Sequence, residues 1–493
     1  MTKLTEKKSL LLRIFIIMLV VMSFGIVSTS AKSSTNGVNY SSLENNASSP
    51  TFIDSQAVQT SRLTPSGSRA AQIAQSNQYL AIVYQQGSRI RLRSTKKEGD
   101  GAWIPLQPNL GSGAAPSLVF SNNTTVHAVW VTTNQRQIMH VSCTLSFGLA
   151  NCGTASAINS NNGQTVEAPT ITFLAGTLYV AWINSSANRV IATRSSNNGS
   201  SWQFNSTVLN ASNSSGGTVA LAASSGIIHL AYSYNNSNNI KYYRSTDGNN
   251  WSNARDFGPD SGYVGVSNPS IEANGSNVYL AWDSLHNATA VDDGFQKYAL
   301  IGALSINGGV SWVDASGNSS NTPVPRYITS KNAFGSGQTS DRKRTRNVSG
   351  ATPSEEAGLR PSVALNELDR FAIVWQERPD ASCVQNENGS IVSNGTSEIY
   401  YAYAANPNSP NSSGWWGTEN TIETPKINFY SIDPDLVIDS SGNEHFVFMK
   451  SSASTDETQC RAGGGATEYA IYYRGPYYVT IDPAQAILPI ITK

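Results

Sequence analysis

One short string recurs along this chain and limits what it can become. Tyr79 to Tyr84, Val126 to Trp130, Leu178 to Trp182, Ile228 to Tyr232, Val278 to Trp282, Phe371 to Trp375 and His445 to Met449 are seven variants of one apolar run rich in β-formers. A shorter run precedes most of them, opened by a small or polar residue and a proline: Ala115-Pro116, Ala168-Pro169, Asn268-Pro269, Arg360-Pro361 and Asp433-Pro434. Proline suits the first residue of a strand, where a missing N–H matters least. A third run follows each copy: Ile90 to Ser94, Met139 to Ser142, Ile191 to Ser195, Tyr242 to Ser245, Gly302 to Ser305, Ile399 to Tyr403 and Ile471 to Arg474. The cleanest unit spans Ala168 to Trp202, where the connecting turns are shortest.

With a turn and a weaker fourth strand, each unit is roughly 50 residues long, the size of a four-stranded propeller blade. The chain therefore reads as all-β: a single β-propeller of four-stranded blades, with seven blades. A six-bladed ring carrying an extra β unit is the alternative, and regular spacing argues against a pair of β-sandwiches. The propeller takes residues 64–493. Residues 32–63 are rich in Ser, Asn and Thr and read as a flexible lead-in that supplies a ring-closing strand, with 52–58 as the segment suited to it. Tyr477 to Ile481 and Ile487 to Ile491 compete for that place.

At the start, Lys3, Lys7, Lys8 and Arg13 precede an apolar run from Ile14 to Val27 and small residues to Ala31, so 1–31 reads as a secretory signal peptide cut after Ala31. The run is short for a spanning helix, and the mature chain is expected to lack a transmembrane segment. Lys+Arg and Asp+Glu are equal at 33 each, which removes the basic bias that nucleic-acid binding requires. Four cysteines in an exported chain can pair fully. Cys143 and Cys152 would staple one hairpin, and Cys383 would meet Cys460 if the loops of adjacent blades 6 and 7 are neighbours. Five dispersed histidines lack zinc spacing, so neither a metal nor a cofactor is implied.

The turns Ser195 to Trp202, Ser245 to Trp251 and Ser305 to Trp312 resemble the Asp-box hairpin (Ser-x-Asp-x-Gly-x-Thr-Trp) of the sialidase-like, BNR-repeat propeller superfamily. The resemblance implies that these turns join third and fourth strands on the face opposite the active site. Arg93, Arg194, Arg244 and Arg474, all at the ends of third runs, then belong to the scaffold. That family holds a substrate carboxylate with three arginines and uses a tyrosine nucleophile assisted by glutamate, with an aspartate as acid/base. The arginine triad cannot be completed here, the family's Phe-Arg-Ile-Pro string is absent, and no catalytic residue is carried over.

A site is sought at the other face, where second strands lead into third strands and each blade leads into the next. Long loops there hold Asp283, His286, Asp292 and Asp293, then Glu377, Arg378 and Asp380, then Asp456, Glu457 and Arg461. Glu167, Arg360, Asp433 and Arg69 stand just before first strands, where charges ring the mouth. Arg360 is the first choice for an anionic or polyhydroxylated ligand, because its planar fork binds carboxylates in bidentate fashion; a structural pair with Asp433 is the competing role. The basic run Asp341 to Arg346 reads as a solvated loop. The expected function is a secreted or cell-surface, monomeric module binding extracellular glycans or surfaces without the sialidase reaction. The first alternative is an exo-acting glycoside hydrolase with Asp283, Asp293 or Glu377 as its carboxylates. The second is a protein-interaction scaffold.

Overall fold

The computed structural model describes residues 60–62, 68–97, 103–104, 108–160, 162–210, 217–233, 239–258, 263–286, 295–313, 319–320, 326–327, 344–346, 361–366, 371–377, 383–385, 391–393, 398–403, 420–423, 431–451 and 469–475. They form antiparallel strands and one 3-10 turn at Ser185–Ala187. Seven sheets of four or five strands follow one another along the chain, and each is a meander in which the second strand lies between the first and third. The third sheet shows the plan: Val166–Leu174, Thr177–Asn184, Arg189–Ser195 and Gln203–Asn210.

The sheets are buried on both faces, which is why their second strands are nearly continuous apolar runs rather than alternating ones. Val278, Leu280 and Trp282 face the fourth sheet, packing with Ile240, Tyr242 and Phe257. Tyr279 and Ala281 face the sixth, packing with Val363, Phe371 and Trp375. Each pair of neighbouring sheets shares such a core, and one of these cores joins the last sheet to the first: Ile73, Leu80 and Ile82 meet Val447, Met449 and Tyr473. First strands are neighbours in the same closed succession. This is an all-β propeller.

Closure is made by residues of the lead-in. Thr60–Arg62 pairs with Tyr469–Arg474, with Thr60 opposite Arg474, and completes the last sheet as its fourth strand. Residues 52–58, 477–481 and 487–491 lie outside the described residues. The basic run departs from its expectation as a loop: Arg344–Arg346 pairs with Phe295–Lys297 at the start of the fifth sheet's third strand.

In the second sheet, Cys143 pairs with Cys152 across the hairpin formed by Ile138–Ser146 and Leu149–Cys152, and the two are joined as a disulfide nine residues apart in sequence. So small a closed loop removes a modest amount of unfolded-state entropy. The double variant Cys143→Ser/Cys152→Ser is expected to lose about 2–3 kcal/mol in urea unfolding. An unchanged midpoint would show that the staple adds nothing to stability.

The proline expectation needs correction. Pro116, Pro169, Pro269 and Pro434 are not first residues; their strands begin earlier, at Ala114, Val166, Tyr263 and Ser431. In each, pairing with the second strand skips the proline and the residue before it, as between Glu167 and Thr170 or Ser267 and Ser270. The proline occupies a bulge, where the ladder asks it for no N–H.

Candidate functional site

The bulges define the mouth. The residue at each bulge is left-handed without being glycine: Ala70 (φ 50°), Ala115 (47°), Ala168 (47°), Asn268 (48°) and Asp433 (48°). Such a conformation costs on the order of 1–2 kcal/mol per residue. Its repetition in five sheets, at the end where second strands depart, marks a built feature. Three of these positions carry alanine. Asn268 and Asp433 are the polar ones, on the fifth and seventh sheets, which concentrates hydrogen-bonding capacity on one arc of the mouth.

Second-strand ends hold the bulges in place. Gln376, in the sixth sheet, accepts a hydrogen bond from the Asp433 backbone N–H of the seventh at 3.3 Å. Met449 Sδ, in the seventh, accepts from the Ala70 N–H of the first at 3.0 Å. The equivalent residue of the fifth sheet is Asp283, which turns to its own sheet's bulge. It accepts from Ser267 Oγ and, at 2.8 Å, from Asn268 Nδ2.

Asp283 differs from its expected position. It lies inside the strand Asn277–His286, not in a loop, and is 0 % exposed. Its place in the repeat, directly after Trp282, predicts this better than its charge does. Glu377 ends the strand Phe371–Glu377, and Arg69 lies beside the first sheet's bulge, opposite Gln85. Glu167 sits at the third sheet's bulge, half-buried, opposite Ile183. Arg360, Arg378, Asp293 and Cys460 lie outside the described residues. Cys383 begins the short strand that forms a small hairpin with Ile391–Ser393.

Two carboxylates below the mouth had no signal in the sequence. First strands are innermost, so one edge of each lacks a strand partner, and side chains cap it. Ser270 Oγ accepts from Val363 N–H of the next sheet at 3.0 Å. At the equivalent position Asp435 accepts from Ile73 N–H of the first sheet at 2.8 Å and from Ser362 Oγ at 2.6 Å. Burial raises the Asp435 carboxyl above the ordinary range, with these hydrogen bonds opposing. Glu272, two residues beyond Ser270 on the same strand face, retains some exposed surface along the strand edge but is enclosed deeply enough to be pushed up to about 8. Burial is the main cause, and the Asp435 charge adds to it.

The opposite face is structural. The turn after Arg189–Ser195 leads into Gln203–Asn210, so it joins third to fourth strand. Within it Asn197 Oδ1 accepts from Ser201 N–H at 2.9 Å, and Ser195 Oγ accepts from Gly199 N–H at 2.9 Å. Arg194 donates to the Asp247 carbonyl of the next sheet's turn, and Arg244 to the Gly308 carbonyl at 3.0 Å. Arg93 donates to the Ile104 carbonyl at 3.1 Å. Arg194 and Arg244 tie sheet to sheet, Arg93 ties down its own sheet's turn, and none of the three is free for a ligand.

No protein-family model matches the chain. No curated protein matches it either. Solved structures that it is similar to include the alpha-L-arabinanase of Penicillium chrysogenum complexed with arabinobiose, at 13 % identity over 73 % of this chain and 92 % of that one, with a TM-score of 0.40. The fucose-recognising Aleuria aurantia lectin, described as a six-bladed β-propeller, is 13 % identical over 74 % and 99 % of the two chains, with a TM-score of 0.40. The Trypanosoma rangeli sialidase in complex with the inhibitor DANA is 10 % identical over 84 % of this chain and 55 % of that one, with a TM-score of 0.38.

Proposed function

We propose that this chain is a secreted or cell-surface propeller that binds extracellular glycans at its mouth without cleaving them. The observation that supports binding over turnover is the state of Asp283. A general acid or base must reach the substrate, and this carboxylate is sealed beneath Asn268 with both oxygens engaged. It shapes the mouth from beneath and presents no surface to a substrate. The polar arc of Asn268 and Asp433, with Arg360 next to it in the repeat, is the surface that meets the ligand.

A hydrolase has one observation in its favour. Burial, with the Asp435 charge adding to it, pushes Glu272 up to about 8, and glycoside hydrolysis needs an acid kept protonated by its surroundings. A fluorogenic glycoside panel that includes a sialoside, run beside a glycan array, separates the two. Array binding with no fluorophore release is expected. Release that Glu272→Gln abolishes would replace binding by hydrolysis, and silence in both assays would leave a protein-interaction scaffold as the better description.

A further inference from the structure

Among the described residues, two acceptors at the mouth lack a partner, Asn268 Oδ1 and the Glu167 side chain, and this selects among glycans. We infer that the mouth takes ligands through their hydroxyl hydrogens, favouring neutral sugars over those bearing a carboxylate. The inference rests on the glycan-binding reading above and specifies the class of ligand.

The key residue is Asn268, whose amide carries two donors on nitrogen and an acceptor oxygen. Its side chain lies against Asp283, and a carboxylate offers acceptors only, so the amide must present its nitrogen to Asp283 whichever way it would otherwise turn. The second Asp283 oxygen is occupied by Ser267, and complete burial denies the carboxylate any solvent partner. Asn268 Oδ1 is thereby committed to the other side, and it has no partner among the described residues. The backbone adds a second constraint, because the left-handed bulge fixes where this side chain leaves the strand. Glu167, half-buried at the bulge of the third sheet, likewise has no side-chain partner among the described residues and offers only acceptors.

Separate sugar hydroxyls can donate, one to Asn268 Oδ1 and another to Glu167. A ligand carboxylate brings further acceptors and negative charge to the same atoms, and is repelled. Asp283 is thus a positioning residue: it touches no ligand and sets which end of Asn268 the ligand meets.

Titration calorimetry with the full chain and methyl galactoside, methyl mannoside, methyl fucoside, methyl glucuronide and sialyllactose tests this. At least one neutral sugar should bind about tenfold or more tightly than either acidic one, the worth of one good hydrogen bond. Asn268→Ala should weaken the neutral sugar about tenfold while leaving the fold intact, since alanine is native at φ 47–50° in three equivalent bulges. Asp283→Asn gives Asn268 a partner that can donate or accept, freeing the amide to turn; the neutral-to-acidic ratio should then fall severalfold with melting temperature as the folding control. Acidic sugars binding more tightly, with loss on Arg360→Ala, would overturn the selectivity and keep the mouth as a glycan site. Unchanged affinity in Asn268→Ala would also overturn it. Failure of every sugar to bind the parent chain would remove the glycan reading and this inference together.

Discussion

Gly309→Ala is expected to destabilise the protein by about 3 kcal/mol or more, whereas Gly176→Ala should cost only about 1 kcal/mol. Both glycines are left-handed, at φ 76° and φ 82°. A Cβ on Gly176 would meet nothing within 4 Å, so that variant suffers backbone strain alone. A Cβ on Gly309 would lie 1.7 Å from the Tyr242 hydroxyl oxygen of the neighbouring sheet. Tyr242 cannot simply step aside. Its hydroxyl is 2.7 Å from His229 Nδ1, and its ring stands edge-on to Trp312 at 5.0 Å between centroids. The clash must be relieved by opening the contact between sheets four and five or by displacing the turn, whose Gly309 N–H bonds Ser305 Oγ at 2.9 Å. Urea unfolding of the two variants measures the difference. Equal losses would mean that the turn shifts freely and that the close approach is not a constraint.

Acid should unfold the protein through its histidines well before its surface carboxylates matter. Burial lowers His127 to about 4 and His229 to about 4; the positive charge of Arg244 adds to the effect on His229. His140 is lowered to about 3 by burial and by the neighbouring His127, with the two rings 3.1 Å apart from Nδ1 to Nε2. In the unfolded chain each takes a proton near pH 6.5. Above that value both states are neutral and the stability is fully present. As pH falls from 6.5 toward 4, the unfolded state gains protons that the native state refuses, so native stability is lost. His229 alone should account for about 2 kcal/mol between pH 7 and 4.5. Glu272 works in the other direction: its raised folded value favours the native state as pH falls from 8 toward 4.5. The two must therefore be separated by variants. His229→Gln should flatten the decline below pH 6.5, and Glu272→Gln should steepen it. A slope unchanged by His229→Gln would show that this imidazole titrates in the native state as it does in water.

Much of the fold was legible because the same physics repeats. Every second strand is covered on both faces, so each had to be a run of β-formers, and seven such runs announced seven sheets. The turns that end in Trp202, Trp251 and Trp312 were legible because they are local, with Asn197 and Asp247 bonding their own backbone neighbours. Pro169 and its counterparts were visible but misassigned, since a proline at a bulge and one at a strand's first residue both avoid the ladder. The site was harder to read. Asp283 looks like a loop aspartate until its register beside Ser267 and its burial are known. Glu272 and Asp435 sit where other sheets have alanine, valine, serine, threonine or glutamine, so nothing local distinguishes them from surface acids. Thr60–Arg62 has no apolar pattern at all, because an edge strand needs its backbone more than its side chains.

That closing strand also dictates an order of events. Pairings elsewhere in the sheets link neighbouring segments of chain, and can form as hairpins do. Thr60–Arg62 meets Tyr469–Arg474 across about 400 residues, a separation whose closure entropy is repaid only after the intervening sheets exist. Folding should therefore run along the chain as an open arc and finish with a single long-range capture, and a ribosome must release the last sheet before the first can be locked to it.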